Sequence, residues 1–238
     1  FSMQHPQNLP CEQERYFVSQ REYNAPKGLL STMRDGLALV YSRESRTSFD
    51  QLLRSFKPDI VHLNNVHRQI TLSILDAPAL CDTPVVYTAH DPITVCPNYE
   101  LFDGTGHPCR DCLGGHFSHC ARKRCIKGSR AKSCLATFEA EYLKLRHSYR
   151  RVDKVISPSR FLQKTLVEGG WPPDKVIWRQ NFVDAQVRSQ AERAIDHTDH
   201  GNPYLLFFGR LSWEKGVDVL MGAFAEALPR LSAVPRLV

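Results

Sequence analysis

Residues 204–228 read YLLFFGRLSWEKGVDVLMGAFAEAL, and the fold follows from how this stretch is parsed. It opens on an apolar run, Leu205-Leu206-Phe207-Phe208, with the length and composition of a buried strand. Gly209 breaks the run and Gly216 punctuates it again. From Val217 the apolar positions Val217, Leu220, Met221, Phe224 and Leu228 recur at helical spacing on one face. A strand, a glycine-flanked loop and an amphipathic helix form the opening βα unit of a doubly wound sheet. Its loop lies at the carboxyl end of a strand, where open α/β sheets bind ligands. Arg210 and Lys215 are the cations carried there. A guanidinium offers a bidentate fork to phosphate oxygens, an ammonium adds a compact charge, and a helix N-terminus favours an anion. The bland alternative, two solvated charges beside a turn, is about equally good on spacing alone.

Working backward from this unit, the rest of the chain alternates. Helical spacing runs through residues 29–56 (Leu30, Met33, Leu37, Val40, then Leu52, Leu53, Phe56) and stops at Lys57-Pro58-Asp59. Strands are predicted at 60–63, 84–88, 152–156 and 175–178, with a helix over 69–80. A further helix is predicted through Leu135, Phe138, Tyr142, Leu145 and Tyr149. Ser159 is placed to cap a helix ending at Glu168 before Gly169-Gly170. Strands alternating with helices predict a parallel sheet covered on both faces. The polar stretch 185–203 reads as an interdomain linker.

The segment FGRLSWEKGVDVLMGAF resembles the nucleotide-sugar-binding motif of family 4 glycosyltransferases, in the pattern G-R-L-x-x-x-K-G-x-x-x-L. Lys57-Pro58-Asp59-Ile60-Val61-His62, Thr88-Ala89-His90-Asp91, Ser157-Pro158-Ser159 and Asn181-Phe182-Val183-Asp184 resemble further segments of that family in the expected order. The resemblance implies an α/β fold of GT-B type, two Rossmann-like domains facing across a cleft. Residues 1–184 would be the acceptor-side domain with a Cys-rich insertion at 91–134, 185–203 the linker, and 204–238 the start of the nucleotide-sugar domain. It also implies that a complete member starts earlier and continues past Val238 by on the order of 100–150 residues, with a Glu-x7-Glu motif there. On that expectation the chain is a fragment, inactive alone, whose second domain leaves apolar surface uncovered.

The implied chemistry is transfer of a sugar from a nucleotide-sugar donor to a glycan or lipid-linked acceptor with retained anomeric configuration. Gly209, Arg210 and Lys215 would hold the donor, and the two cations would stabilise the departing diphosphate where charge develops. His90 lies beyond a strand end and would contact the reacting sugar or acceptor hydroxyl. Asp91 is placed to accept its ring N–H, while His62 and His67 read as structural.

Eight cysteines are many for a chain with no secretory signature, and six fall between Cys96 and Cys134. Cys109-x2-Cys112 is half of a zinc knuckle, and Cys120 and Cys125 complete four thiolates for a structural zinc. Cys96, Cys134, His107, His116 and His119 offer substitutes, and reduced thiols or disulfides are the alternatives. Glycines 104, 106, 114, 115 and 128 suit the turns of a clamped loop.

The net charge of +6 is concentrated. Arg122, Lys123, Arg124, Lys127, Arg130 and Lys132 are followed by Lys144, Arg146, Arg150, Arg151 and Lys154. Such a patch suits phosphates or an anionic membrane surface, when it is not simply a solvated face. A zinc-stabilised nucleic-acid- or anion-binding protein is the competing reading. It is weakened because Phe117 is the lone aromatic between Cys109 and Cys134. No apolar run approaches the ~20 residues that span a bilayer, and a cytoplasmic location, at the membrane face, is expected.

Overall fold

The computed structural model describes residues 1–20, 36–195, 204–231 and 235–238. Leu30 and Met33, two of the positions used to predict the first helix, lie outside them. The chain divides into unit 1, Phe1–Asn181, and unit 2, Phe182–Val238.

Unit 1 is built on a four-stranded parallel sheet in the order β1-β2-β3-β4: Val61–Asn64, Val85–Thr88, Lys154–Ser157 and Val176–Trp178. Each strand lies within a residue or two of its predicted position. Val61, Leu63, Val85, Tyr87, Val155 and Val176 are buried with the helices that cover the sheet. Parallel neighbours require crossovers long enough to bury both faces, which is why the strands are short apolar runs.

The first predicted helix is interrupted. Residues 36–40 are helical, the chain breaks at Tyr41-Ser42, and helix α1 restarts as Arg43–Phe56. Ser42 is the reason: its Oγ accepts the Ser45 backbone N–H at 3.1 Å, and its own N–H donates to Thr71 Oγ1 at 3.2 Å. Phe49, Leu52 and Leu53 then face the core. The helix predicted over 69–80 is instead two 3-10 helices, Leu72–Asp76 and Pro78–Leu80. Pro78 lacks the N–H a continuing helix needs and drives Ala77 to extended backbone. Four successive residues, Leu72 to Leu75, are buried there, which one face of an α-helix does not allow.

Between β2 and β3 come the cysteine-rich insertion with helix α2 (Ser118–Arg122), and then helix α3 (Arg130–Leu145). The α3 face that is buried carries Ser133, Ala136 and Leu143, while the predicted Phe138 and Leu145 are exposed. Phe138 stacks instead on Tyr142, ring centres 6.3 Å apart. Helix α4 (Arg160–Glu168) begins as read, with Ser159 Oγ accepting from Leu162 N–H at 3.1 Å.

Unit 2 opens with α5 (Ala185–Ile195), so the first part of the expected linker is helical, with an Arg188–Glu192 ion pair at 2.9 Å along it. Strand β5 is only Tyr204–Leu205, paired in parallel with β6, Arg236–Leu237. The expected buried strand is therefore short and exposed, with Leu206 and Phe208 65% and 96% accessible. Two residues pair with two, and neither face of so small a sheet is enclosed. Helix α6, Val217–Ala227, forms where read, with no buried residue.

Candidate functional site

Asn64 is the last residue of β1, and His90 lies two residues beyond the end of β2. Parallel pairing in register, Asn64 opposite Thr88, brings the two to the same carboxyl edge of the sheet. His90 Nε2 and Asn64 Oδ1 are 3.0 Å apart. An amide oxygen can only accept, so the imidazole donates from Nε2, and Nδ1 is not engaged by that contact. Both side chains are exposed. Fully buried Ala89, whose N–H donates to Ile156 O at 2.9 Å, anchors the turn that presents His90.

The expected orienting residue was Asp91, and the structure assigns that contact to Asn64. Asp91 Oδ1 instead accepts the Ile93 N–H at 3.0 Å, shaping the loop, and burial raises its carboxyl above the usual range. Asn64 was missed because it stands 26 positions from His90, and only strand register joins them. Its place at a predicted strand end was the available signal. His62 and His67, which the sequence reads as structural, each make a contact within unit 1. His62 Nε2 meets Thr88 Oγ1 at 2.7 Å, and His67 Nε2 meets the Tyr149 hydroxyl at 3.0 Å. Burial drives the His67 ring down to about 4, so it is neutral.

In unit 2, Gly209, Arg210 and Lys215 lie on the loop between β5 and α6. Gly216 caps α6 at φ 66°, a left-handed conformation that glycine adopts without strain. The Arg210 guanidinium pairs with Glu214 at 3.1 Å. Glu214 is held below the ordinary carboxylate value by Ser212 first and then by the charges of both Arg210 and Lys215. Both cations thus act on one acidic group, and Arg210 is itself mostly exposed.

In the insertion, Cys112, Cys120 and Cys125 are buried together with Phe117. Cys96 and Cys109 join them around one small cavity. All eight cysteines are free thiols, so the disulfide alternative is not realised. Burial, then neighbouring thiols, push Cys112 and Cys120 up to about 12. Lys123 Nζ bridges Cys109 Sγ at 3.5 Å and Asp111 at 2.8 Å. Gly104 is needed where it stands, because a Cβ there would lie 2.2 Å from Lys123 O. Soft thiol donors suit a thiophilic ion. Even so, no three Cys, His, Asp or Glu side chains among the described residues are gathered as a metal-holding group. Cys109, Cys112, Cys120 and Cys125 are brought to one cavity, with Cys96 added, without forming an assembled centre.

A parallel α/β sheet with polar side chains gathered at its carboxyl edge has the construction of a Rossmann-like domain, in which ligands bind at that edge. The sequence profile of Glycosyltransferase Family 4 matches residues 21–187, well over half of the chain. The chain belongs to that family, and is a transferase by membership. The matched region is essentially unit 1, whereas Arg210 and Lys215 lie beyond it. No curated protein and no solved structure matches the chain significantly. Among the described residues no helix is long and apolar enough to cross a membrane.

Proposed function

We propose that the protein transfers a sugar from a nucleotide-sugar donor to a glycan or lipid-linked acceptor with retained configuration. The observation carrying this reading is the Asn64–His90 pair at the sheet's carboxyl edge in a family 4 chain. Asn64 holds the imidazole so that its second nitrogen is available to a substrate hydroxyl. Arg210 and Lys215 supply the charge that meets the donor's diphosphate as it leaves, with Glu214 occupying the guanidinium until then. Fixed cations are effective because they act where negative charge builds and need little rearrangement to do so.

The basic residues are partly committed within the protein, Lys123 to Asp111 and Arg146 to Asp76. The remainder favours work at an anionic membrane face on the cytoplasmic side. Nucleic acid is the weaker reading, since Phe117 is buried and unable to stack on a base. We further propose a structural zinc on Cys109, Cys112, Cys120 and Cys125, supported by their shared cavity. Metal analysis returning no zinc from purified protein removes that proposal.

The test is equilibrium binding with a panel of UDP-, GDP- and ADP-sugars, with binding and transfer both measured on a full-length version of the protein, since this chain alone is expected to be inactive. One donor is expected to bind, roughly tenfold more weakly to Arg210→Ala, since a charged phosphate contact contributes on that scale. Asn64→Ala and His90→Ala are expected to lower the transfer rate while leaving donor affinity within twofold or so. Absence of binding by every nucleotide sugar, or full transfer by His90→Ala, overturns the reading.

A further inference from the structure

Beneath α3 lies a cavity of about 350 Å³, entirely within unit 1. Neither His90 nor the five thiols of the insertion line it. One wall is the α3 face carrying Ala136, Glu139, Ala140 and Leu143, where the two alanines leave the space open. Opposite stand Phe117 from the insertion, Trp171 after α4, and Ile93 to Val95 from the loop that follows His90. The lining is mainly apolar and aromatic, and the volume is at the low end for pockets that enclose small molecules.

Most polar groups in its depth are already satisfied by one another. His67 Nε2 pairs with the Tyr149 hydroxyl, and Trp171 Nε1 donates to Thr94 Oγ1 at 2.9 Å. At the rim, Lys144 Nζ donates to Gly115 O at 2.9 Å and Lys175 Nζ to Val152 O at 2.6 Å. Glu139 is different. Glu139 lines the cavity, and its carboxyl group takes part in no hydrogen bond among the described residues, with the Arg68 charge and the Tyr149 phenol coupled to it electrostatically. A half-buried carboxyl without a partner is costly in an apolar site, and a ligand that supplies one removes that cost.

Charge narrows the choice of ligand. Lys144, Arg150 and Lys175 around the opening oppose a cation, and Glu139 within opposes an anion. A neutral hydroxyl suits the carboxyl in either protonation state, donating to the anion or accepting from the acid. We propose that this cavity binds a compact, neutral, largely apolar molecule bearing one hydroxyl, with the hydroxyl hydrogen-bonded to Glu139. The inference does not depend on the transferase reading, because its test uses binding alone.

The probes are 1-naphthol and naphthalene, titrated into the full chain and followed by quenching of tryptophan fluorescence, Trp171 being in the wall. The expected result is saturable binding of 1-naphthol at one site, roughly tenfold tighter than naphthalene. Glu139→Ala is expected to erase that preference and leave naphthalene affinity unchanged. Ala140→Phe, which fills the cavity, is expected to abolish binding of both while retaining the circular dichroism of the parent. Ala136→Leu serves the same purpose if Ala140→Phe does not fold. The proposal is overturned if 1-naphthol shows no saturable quenching or binds a cavity-filled variant undiminished. Equal binding of the two probes to the parent, or equal weakening of both by Glu139→Ala, overturns it as well.

Discussion

Glu139 ties the residue scale to a measurable pH dependence. Burial raises its carboxyl from an ordinary 4.5 to about 7. Between those values the unfolded chain has released a proton that the folded chain keeps, so this group makes stability fall as pH rises through the window and level off above it. His67 acts in the opposite sense. Its folded value of about 4 lies below the ordinary 6.5, so the unfolded chain binds the extra proton there, and stability rises with pH across that interval. The two slopes oppose each other in the parent. Glu139→Gln removes one of them: relative to the parent it is expected to gain stability steadily from pH 4.5 to about 7, by no more than roughly 3 kcal/mol, and then hold constant. Urea denaturation of both proteins across that range measures it, and parallel curves would refute the assignment. The sequence placed Glu139 only as a polar position between helical apolar ones. Its burial depends on Trp171 and Phe117, which approach from elements far away in the chain.

At the scale of the element, punctuation was more legible than periodicity. Ser159 and Pro58 end or begin helices where a local rule says they should, because capping and proline geometry act within a few residues. Ser42 obeys the same chemistry and yet was passed over, since apolar spacing continues on both sides of it. Its hydroxyl is buried and 2.9 Å from that of Ser45, whose side chain loses its partner if Ser42 is removed. Ser42→Ala is expected to cost about 1–3 kcal/mol, the sum of a lost cap and a stranded buried hydroxyl. Chemical denaturation checks the value, and a loss below about 0.5 kcal/mol would show that the restart of α1 does not rest on this residue. Helix α3 shows the converse error. Its apolar spacing through Phe138 and Leu145 predicted the helix, but the face that is buried carries Ala136 and Leu143 while Phe138 and Leu145 are exposed.

Across the whole molecule the two units differ in how they are held. Unit 1 encloses a continuous apolar core from Val18 to Val176. Unit 2 exposes Leu205, Leu206, Phe208, Leu211, Val219 and Met221, and its two strands pair over two residues each. Units with few buried contacts open first. Brief trypsin digestion is expected to cleave within 182–238 well before 36–181, leaving a resistant product that mass spectrometry can size. Simultaneous loss of both units would contradict this picture. The amino-acid sequence by itself determined the alternation of strands and helices and the four parallel strands of unit 1, because apolar period, proline and glycine act locally, and its motifs carried the family resemblance. Tertiary structure alone decided that Asn64 rather than Asp91 meets His90, that Cys96 joins the other thiols, and that Glu139 faces a cavity. Each of these joins residues far apart along the chain, and such contacts arise from strand register and helix packing, which no short window of sequence encodes.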